Sequence, residues 1–253
     1  MSIVQSLERA LTLLNTLSEY PEGMQITRLA EQVGLSKSTT HRLLSTLLHM
    51  NYVIKDEESD KYKLGYQLIY LSRNILDSLD IRGIAKPFLQ KLSQDVNETI
   101  HLCLEDNGEV MYIDKIESNQ TIRMYSRIGS RAPLYCTGVG KVLLAGMDSP
   151  TYERAVSQMD FVAKTAKTIT AKEQLAEEIA RVRKQGYALD NMENEVGIRC
   201  IAGPIVDVQG KVVASFSISG PSNRITMERI DDELIKKIRE TSTEISRQLG
   251  WRA

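Results

Sequence analysis

The sequence predicts an α+β protein in three parts: a small helical module closed by a β-hairpin over about residues 1–64, a linker helix over 65–82, and a mixed sheet with helices over 83–253. Three observations carry this. Helical periodicity runs through the first fifty or so residues and ends in two short β-prone segments. A row of leucines at helical spacing follows. From about Ile84 onward helical and strand patterns alternate.

In the first part, Ile3, Leu7, Ala10, Leu11, Leu14 and Leu17 form the stripe of an amphipathic helix, with Ser2 as its expected N-cap. Tyr20-Pro21-Glu22-Gly23 ends it. A short second helix has Thr27 as its expected cap, turns Leu29, Ala30 and Val33 inward, and stops at Gly34, where glycine takes the left-handed C′ conformation. Leu35 plugs the turn. Ser36 caps a third helix, Lys37–His49, with Leu43, Leu44, Leu47 and Leu48 as its inner face. The runs Asn51–Ile54 and Lys61–Leu64 flank the polar turn Lys55–Asp60 as a hairpin.

Two helices across a short glycine turn make the helix-turn-helix pattern, and a hairpin after the third helix is a wing. The third helix opens with Ser36, Lys37, Ser38, Thr39, Thr40, His41 and Arg42, all hydrogen-bonding and none acidic. That end of a recognition helix enters the major groove, where such side chains meet phosphates and base edges. Lys61 and Lys63 on the wing, with Lys55, suit phosphate contacts. Double-stranded operator DNA is the expected partner. The same residues also fit a plain helical packing module, with Ser and Thr as ordinary caps. Bulk charge does not support DNA binding: residues 1–64 hold seven basic and eight acidic side chains, and the whole chain carries −1. The DNA-binding reading rests on local arrangement.

Leu64, Leu68, Leu71, Ile75 and Leu79 recur every three to four residues, with Tyr66, Ile69 and Tyr70 on the flank. This is more apolar surface than a linker needs. It fits a dimer seam or docking onto its own chain; paired half-sites in operators favour the seam.

Composition removes other classes. A hydrophobic share of 42% supports globular cores and argues against disorder. No apolar run approaches the ~20 residues a membrane helix needs, and the N-terminus lacks a signal-peptide pattern, so a cytoplasmic protein is expected. Cys103, Cys136 and Cys200 are far apart and odd in number, which fits a reducing compartment. No metal-binding spacing and no cofactor motif occurs.

In the third part, Ala85, Phe88, Leu89, Leu92 and Val96 mark a helix. Thr99–Glu105 alternates as a strand, with Ile100, Leu102 and Leu104 opposite Thr99, His101, Cys103 and Glu105. Asp106-Asn107-Gly108 is a turn, and Glu109–Ile116 and Thr121–Ser126 read as further strands. Thr137-Gly138-Val139-Gly140-Lys141 opens a helix through Ala145. Its Gly-rich entry suits an anion at exposed backbone N–H groups, or a tight turn with close packing. Lys172–Gln185 is a charged amphipathic helix ended by Gly186. Tyr187–Asp190, Cys200–Val206 and Lys211–Ser219 are strands, with Asn191–Arg199 as a polar loop. Ser215, Ser217 and Ser219 share one strand face, which suits a polar pocket or solvent. A final helix spans about Met227–Leu249. The sheet is expected to be mixed and mainly antiparallel.

Several motifs in order resemble the IclR family of bacterial transcription regulators over essentially the whole chain. They are Leu35–Leu44, Pro133–Ala145, Gly186–Asp190 through Gly197–Ile205, and Ser217–Pro221. The Pro133-Leu134-Tyr135-Cys136-Thr137-Gly138 form is similar to members that sense sugar acids such as 2-keto-3-deoxygluconate. The resemblance implies a GAF-like sensor domain, a homodimer or homotetramer, and a small organic acid effector. It also implies an effector pocket at Gly138, Val139, Asp190, Cys200, Ser217 and Ser219, with Val139 contributing through its backbone. Chemically, the glycine-rich amides and the two serines suit a carboxylate or ketone, and Asp190 suits a hydroxyl or, protonated, an acid. Arg123, Arg127 and Arg131 are further cations able to pair with a sugar acid, though the sequence does not place them in the pocket. The expected function is a DNA-binding repressor whose operator affinity follows an organic acid. Two competitors remain: a hydrolase or isomerase using Cys200 with His101 and Asp190, and a nonspecific DNA coat, which the near-neutral charge disfavours.

Overall fold

The computed structural model describes residues 4–78, 80–121 and 125–252, and side chains other than those of 73–80. Ser2, Ile3, Leu79 and Arg123 lie outside the described residues, as does the side chain of Ile75. The chain forms two compact units, residues 1–79 and 80–253.

In the first unit, helix α1 spans Gln5–Ser18. It buries Leu13 and Leu17, while Leu7 and Leu11 stay 58% and 50% exposed. This differs from the expected stripe. Leucines surround much of α1, so periodicity offers two overlapping faces, and contact with the other helices and the wing selects the one centred on Leu13 and Leu17. Strand β1 (Met24–Gln25) pairs with Tyr62 and Lys61 and leads directly into α2 (Ile26–Gln32). The extended residue before α2 is therefore Gln25; Thr27, the expected cap, lies inside the helix. Gly34 has φ +66°, and the Leu35 N–H donates to the Ala30 carbonyl at 2.9 Å, closing the turn. Ser36 caps α3 (Lys37–His49): its hydroxyl accepts from the Thr39 N–H at 3.2 Å. Strands β2 (Val53–Lys55) and β3 (Lys61–Leu64) form the wing, in sheet order β1-β3-β2. Leu13, Leu17, Met24, Leu29, Leu44, Leu47, Val53 and Tyr62 make the core. Gly65 follows, where a Cβ would meet the Asn51 carbonyl. Helix α4 (Gln67–Ser78) then leaves Ile69, Tyr70 and Leu71 exposed, with Tyr66 just before it.

The second unit begins with α5 (Asp80–Val96), β4 (Thr99–Asp106), β5 (Glu109–Ile116) and β6 (Arg131–Pro133). Helices α6 (Gly138–Ala145), α7 (Ser149–Ser157) and α8 (Lys172–Gln185) follow. Then come β7 (Ala188–Asn191), β8 (Ile198–Val206) and β9 (Val212–Pro221). The chain closes with α9 (Met227–Arg229), a π-helical turn (Ile230–Leu234) and α10 (Ile235–Gln248), where one continuous helix was expected. The six strands run in order β6-β5-β4-β9-β8-β7, antiparallel at every pairing. Tyr125 and Ser126, expected in a strand, are not in one; the rest of that segment is only partly described. Strand β6 and helix α7 have no counterpart in the sequence reading: one is too short, the other too polar.

Helices cover both faces of this sheet. Gly203 meets Ile238 of α10, whereas its neighbour Ala202 meets Gly138 of α6. Adjacent residues of a strand point to opposite faces, so α10 and α6 lie on opposite sides. Ser215, Ser217 and Ser219 share the α6 face and are buried, so the serine row does not face solvent. Buried Glu98 accepts from Arg224 at 2.7 and 2.9 Å and from Arg229 at 3.3 Å, tying the start of β4 to the end of the chain.

Leu13→Ala is expected to destabilise the first unit by about 2–5 kcal/mol, the usual cost of emptying a buried leucine site. Leu11→Ala should cost less than about 1 kcal/mol. Urea unfolding followed by far-ultraviolet circular dichroism checks both.

Candidate functional site

Register assembles the candidate site. Cys200 on β8 lies between Asp190 on β7 and Ser219 on β9, and β4 places His101 beside Ser217. Above them stands the head of α6. Thr137 caps it, accepting from the Gly140 N–H at 3.1 Å and donating to the Pro133 carbonyl at 2.8 Å. The Gly138 and Val139 N–H groups are among those a helix start leaves without an intrahelical partner. Side chains have no room there: a Cβ on Gly138 would lie 3.3 Å from Ala202 Cβ and 3.4 Å from the Asp190 nitrogen. Gly138, Val139, Asp190, Cys200, Ser217 and Ser219 all line one cavity of about 230 Å³.

The same cavity takes in residues the sequence did not assign to a pocket: Tyr112, Ser126, Ser130, Thr137, Lys164, Asn194 and Glu195. Arg131 lines it as well but is bound to the Asp106 carbonyl at 2.8 Å and pairs with the Asp106 carboxylate. Arg127 stacks on Tyr125 and is not a lining residue.

The cavity's titratable groups are set by burial. His101 Nδ1 lies 3.2 Å from Ser219 Oγ and its Nε2 lies 2.6 Å from Ser126 Oγ. Burial, helped by the nearby Lys115 charge, pushes its pKa down to about 3, so the imidazole is neutral. Asp190 behaves in the opposite sense. Burial, with the Glu193 charge, pushes its carboxyl up to about 7, against backbone N–H bonds from Glu193 at 2.8 Å and Asn194 at 3.4 Å. Asp190 can therefore accept a hydrogen bond from a hydroxyl or, protonated, donate one to an acid. Burial also raises the Cys200 thiol and the Tyr112 phenol.

A charged cluster supports this floor. Lys141 on α6 is 1% exposed, and its Nζ donates to Glu193 Oε1 and Oε2 at 2.7 and 2.9 Å, with Glu178 of α8 at 3.5 Å. Burial pushes the Glu193 carboxyl above its ordinary value although Lys141 pulls it down. Among the described residues no group of three or more His, Cys, Asp or Glu is placed to hold a metal ion.

In the first unit, Lys37, Ser38, His41 and Arg42 are exposed along the start of α3, and Thr39 is half-buried. Lys37, Ser38 and His41 share an open hollow with Gln25, Thr27 and Lys55. Ser36 is exposed but engaged as the cap. Thr40 is a correction: it is fully buried, and its hydroxyl donates to the Ser36 carbonyl at 3.1 Å. Position 40 lies one and two turns before Leu44 and Leu47, on the inner face of the helix. Lys61 and Lys63 are half-buried on β3, while Lys55 pairs with Asp60 at 2.5 Å.

Comparison with known proteins decides the family. Residues 73–247 match the bacterial transcriptional regulator IclR C-terminal domain, and residues 6–57 match the IclR helix-turn-helix domain. The chain belongs to the IclR family. It is 40% identical to the HTH-type transcriptional regulator KdgR of Escherichia coli, over 98% of this chain and 94% of that protein. It is 37% identical to the E. coli regulator XynR over the full length of both. The crystal structure of Thermotoga maritima IclR superposes with a TM-score of 0.81 at 35% identity, covering 98% of this chain and 100% of that one. This IclR-family protein is thus a helix-turn-helix transcriptional regulator, not an enzyme. The cysteine-hydrolase alternative also fails on chemistry: His101 is held by two serines, and the Cys200 thiol resists ionisation. No described helix is long and apolar enough to cross a membrane.

The two perturbed groups oppose each other in stability. The unfolded chain protonates His101 below about pH 6.5 and the folded one only near pH 3, so this group costs stability as pH falls between them. Folded Asp190 holds a proton up to about pH 7 and the unfolded carboxyl only near 3.8, so this group adds stability as pH falls. Relative to wild type, His101→Gln should gain about 1.4 kcal/mol per pH unit from pH 6.5 towards 4. Asp190→Asn should lose about as much per unit from pH 7 towards 4. Urea unfolding across this range measures both differences.

Proposed function

We propose that a small organic acid, in first place a sugar acid such as 2-keto-3-deoxygluconate, occupies the cavity and modulates operator binding by this regulator, which acts as a repressor in the cytoplasm. The observation that carries this reading is the cavity itself. It is polar and small, and brings together the head of α6, a serine row and a protonatable carboxyl. Its volume of about 230 Å³ lies below the usual range of about 300–1,000 Å³ for drug-sized ligands, which suits a short-chain acid rather than a nucleotide. The Pro133–Gly138 motif and the similarity to KdgR support the sugar-acid branch.

Operator contacts are assigned to Lys37, Ser38, Thr39, His41 and Arg42, with Lys61 and Lys63 on the phosphates; Ser36 serves as the cap and buried Thr40 drops out of the set. With no net positive charge, one winged module has few phosphate contacts, so tight binding needs a paired copy. The exposed Tyr66, Ile69, Tyr70 and Leu71 around the start of α4 support a homodimer or homotetramer joined through the segment 65–82. Acid binding then acts by favouring one arrangement of a two-state assembly.

Arg42→Ala should weaken operator binding about tenfold and lower the salt slope by about one, while leaving acid affinity unchanged. Electrophoretic mobility shifts at several salt concentrations test this, and unchanged affinity removes Arg42 from the interface. A thermal-shift screen of organic acids tests the effector: an acid at about 100 times its Kd adds about 2.7 kcal/mol to folding stability, and neutral glucitol adds none.

A further inference from the structure

The segment between α7 and α8 has no regular structure, yet it is fastened at several points. The Tyr135 hydroxyl donates to the Val162 carbonyl at 2.9 Å and accepts from the Val162 N–H at 3.1 Å. The Thr165 hydroxyl donates to the Met192 carbonyl at 2.7 Å, and the Thr168 hydroxyl to the Glu193 carbonyl at 2.6 Å. Thr168 Oγ1 also accepts from the Lys164 and Thr165 N–H groups at 3.0 and 2.8 Å. The backbone is thus held on both sides of Lys164. Two of its anchors lie in the same turn that carries Asp190 and Glu193.

Lys164 is the residue between the anchors, and it lines the cavity while its side chain remains exposed. It therefore stands at the opening. The charges that line the cavity are few. Arg131 is committed to Asp106 and Glu109, and the acids are Asp190 and Glu195. Among the described residues no carboxylate lies within ion-pair distance of the Lys164 ammonium. The head of α6, whose partial positive charge adds to that of Lys164, borders the same space. Two positive features thus meet one cavity, and Asp190, Glu195 and Asn194 remain as acceptors for hydroxyls.

We infer that Lys164 is a specificity-determining residue of this cavity, pairing with the carboxylate of a polyhydroxy acid that enters past the pinned strap. The inference rests on the effector reading above and adds the residue that makes the site prefer an anion over a neutral polyol. The pinned backbone lowers the entropy cost of holding a lysine in one place.

Isothermal titration of the full-length protein tests it, with 2-keto-3-deoxygluconate, D-gluconate and D-xylonate as probes and glucitol as the neutral control. Lys164→Met is expected to weaken the acid that wild type binds by about 10- to 100-fold, the usual weight of a charge-assisted contact. Lys164→Arg should restore most of the affinity, and glucitol should not distinguish the three proteins. Wild-type affinity in Lys164→Met overturns the role of Lys164; if Asp190→Ala loses binding in the same experiment, the effector reading stands without it. Wild type that binds none of the acids overturns the sugar-acid reading and this inference together.

Discussion

An ammonium group almost wholly removed from water holds the sensor domain in order. Lys141 projects from α6 into a space closed by α8 and the turn after β7, where Glu193 and Glu178 meet it. Leaving such a charge unpaired costs about 3–5 kcal/mol, so the pairing favours the arrangement in which the three elements are in register. The consequences reach the cavity. Glu193 is positioned by its own N–H donating to Asp190 Oδ1, and the turn accommodates Met192 at φ +64°, a conformation unfavourable for a non-glycine residue. The pair that fixes α6 therefore also fixes the carboxyl that lines the cavity. Removing Lys141 would leave Glu193 buried without its counter-charge and loosen Asp190 with it.

The cavity is polar in composition, yet its titratable side chains are buried, and that combination sets its chemistry. Burial neutralises His101 and brings Asp190 near its titration point instead of leaving both charged. Hydroxyls of Ser126, Ser217 and Ser219 bridge the remaining polar atoms: Ser217 and Ser219 lie 3.0 Å apart, and His101 spans Ser219 and Ser126. Such a network offers donors and acceptors without strong fixed charge, a wall suited to hydroxyls and ketones. Among the lining cations Arg131 is paired with Asp106 and Glu109, and Lys164 on the strap stands at the mouth.

The DNA-binding unit solves a different problem. Its net charge gives no long-range attraction, so binding must come from a few residues well placed. Ser36 does the placing. Its hydroxyl caps Thr39 and contacts the hydroxyls of Ser38 and Thr39, fixing the first turn of α3. The wing is stiffened by Asp56 accepting from the Ser59 N–H and hydroxyl and by the Lys55–Asp60 pair, so the acidic tip serves the hairpin's own geometry.

Much of this was legible in the sequence. Helix α3 and helix α8 have the bounds their caps and glycines predict, because Ser36, Gly34 and Gly186 act within a turn or two of themselves. The family motifs place Gly138, Val139, Asp190, Cys200, Ser217 and Ser219 in one site, and the cavity holds all of them. Other features had no local signature. The inward face of α1 was ambiguous because apolar residues surround it, and Thr40 looked like a surface hydroxyl until helix packing turned it inside. His101 shares its strand face with Cys103 in the sequence, but only the antiparallel register brings it to Ser217 and Ser219. Lys164 sits in an irregular segment with no period to read, and the distant Tyr135 hydroxyl and the Met192 and Glu193 carbonyls place it. The sequence by itself determined most of the elements, the cap of α3 and the glycine stops after α2 and α8, and the family motifs, since these depend on neighbours within a few residues. Only the tertiary structure decided which side chains share the cavity and how they are charged, because register, burial and long-range pairing arise between segments far apart in the chain.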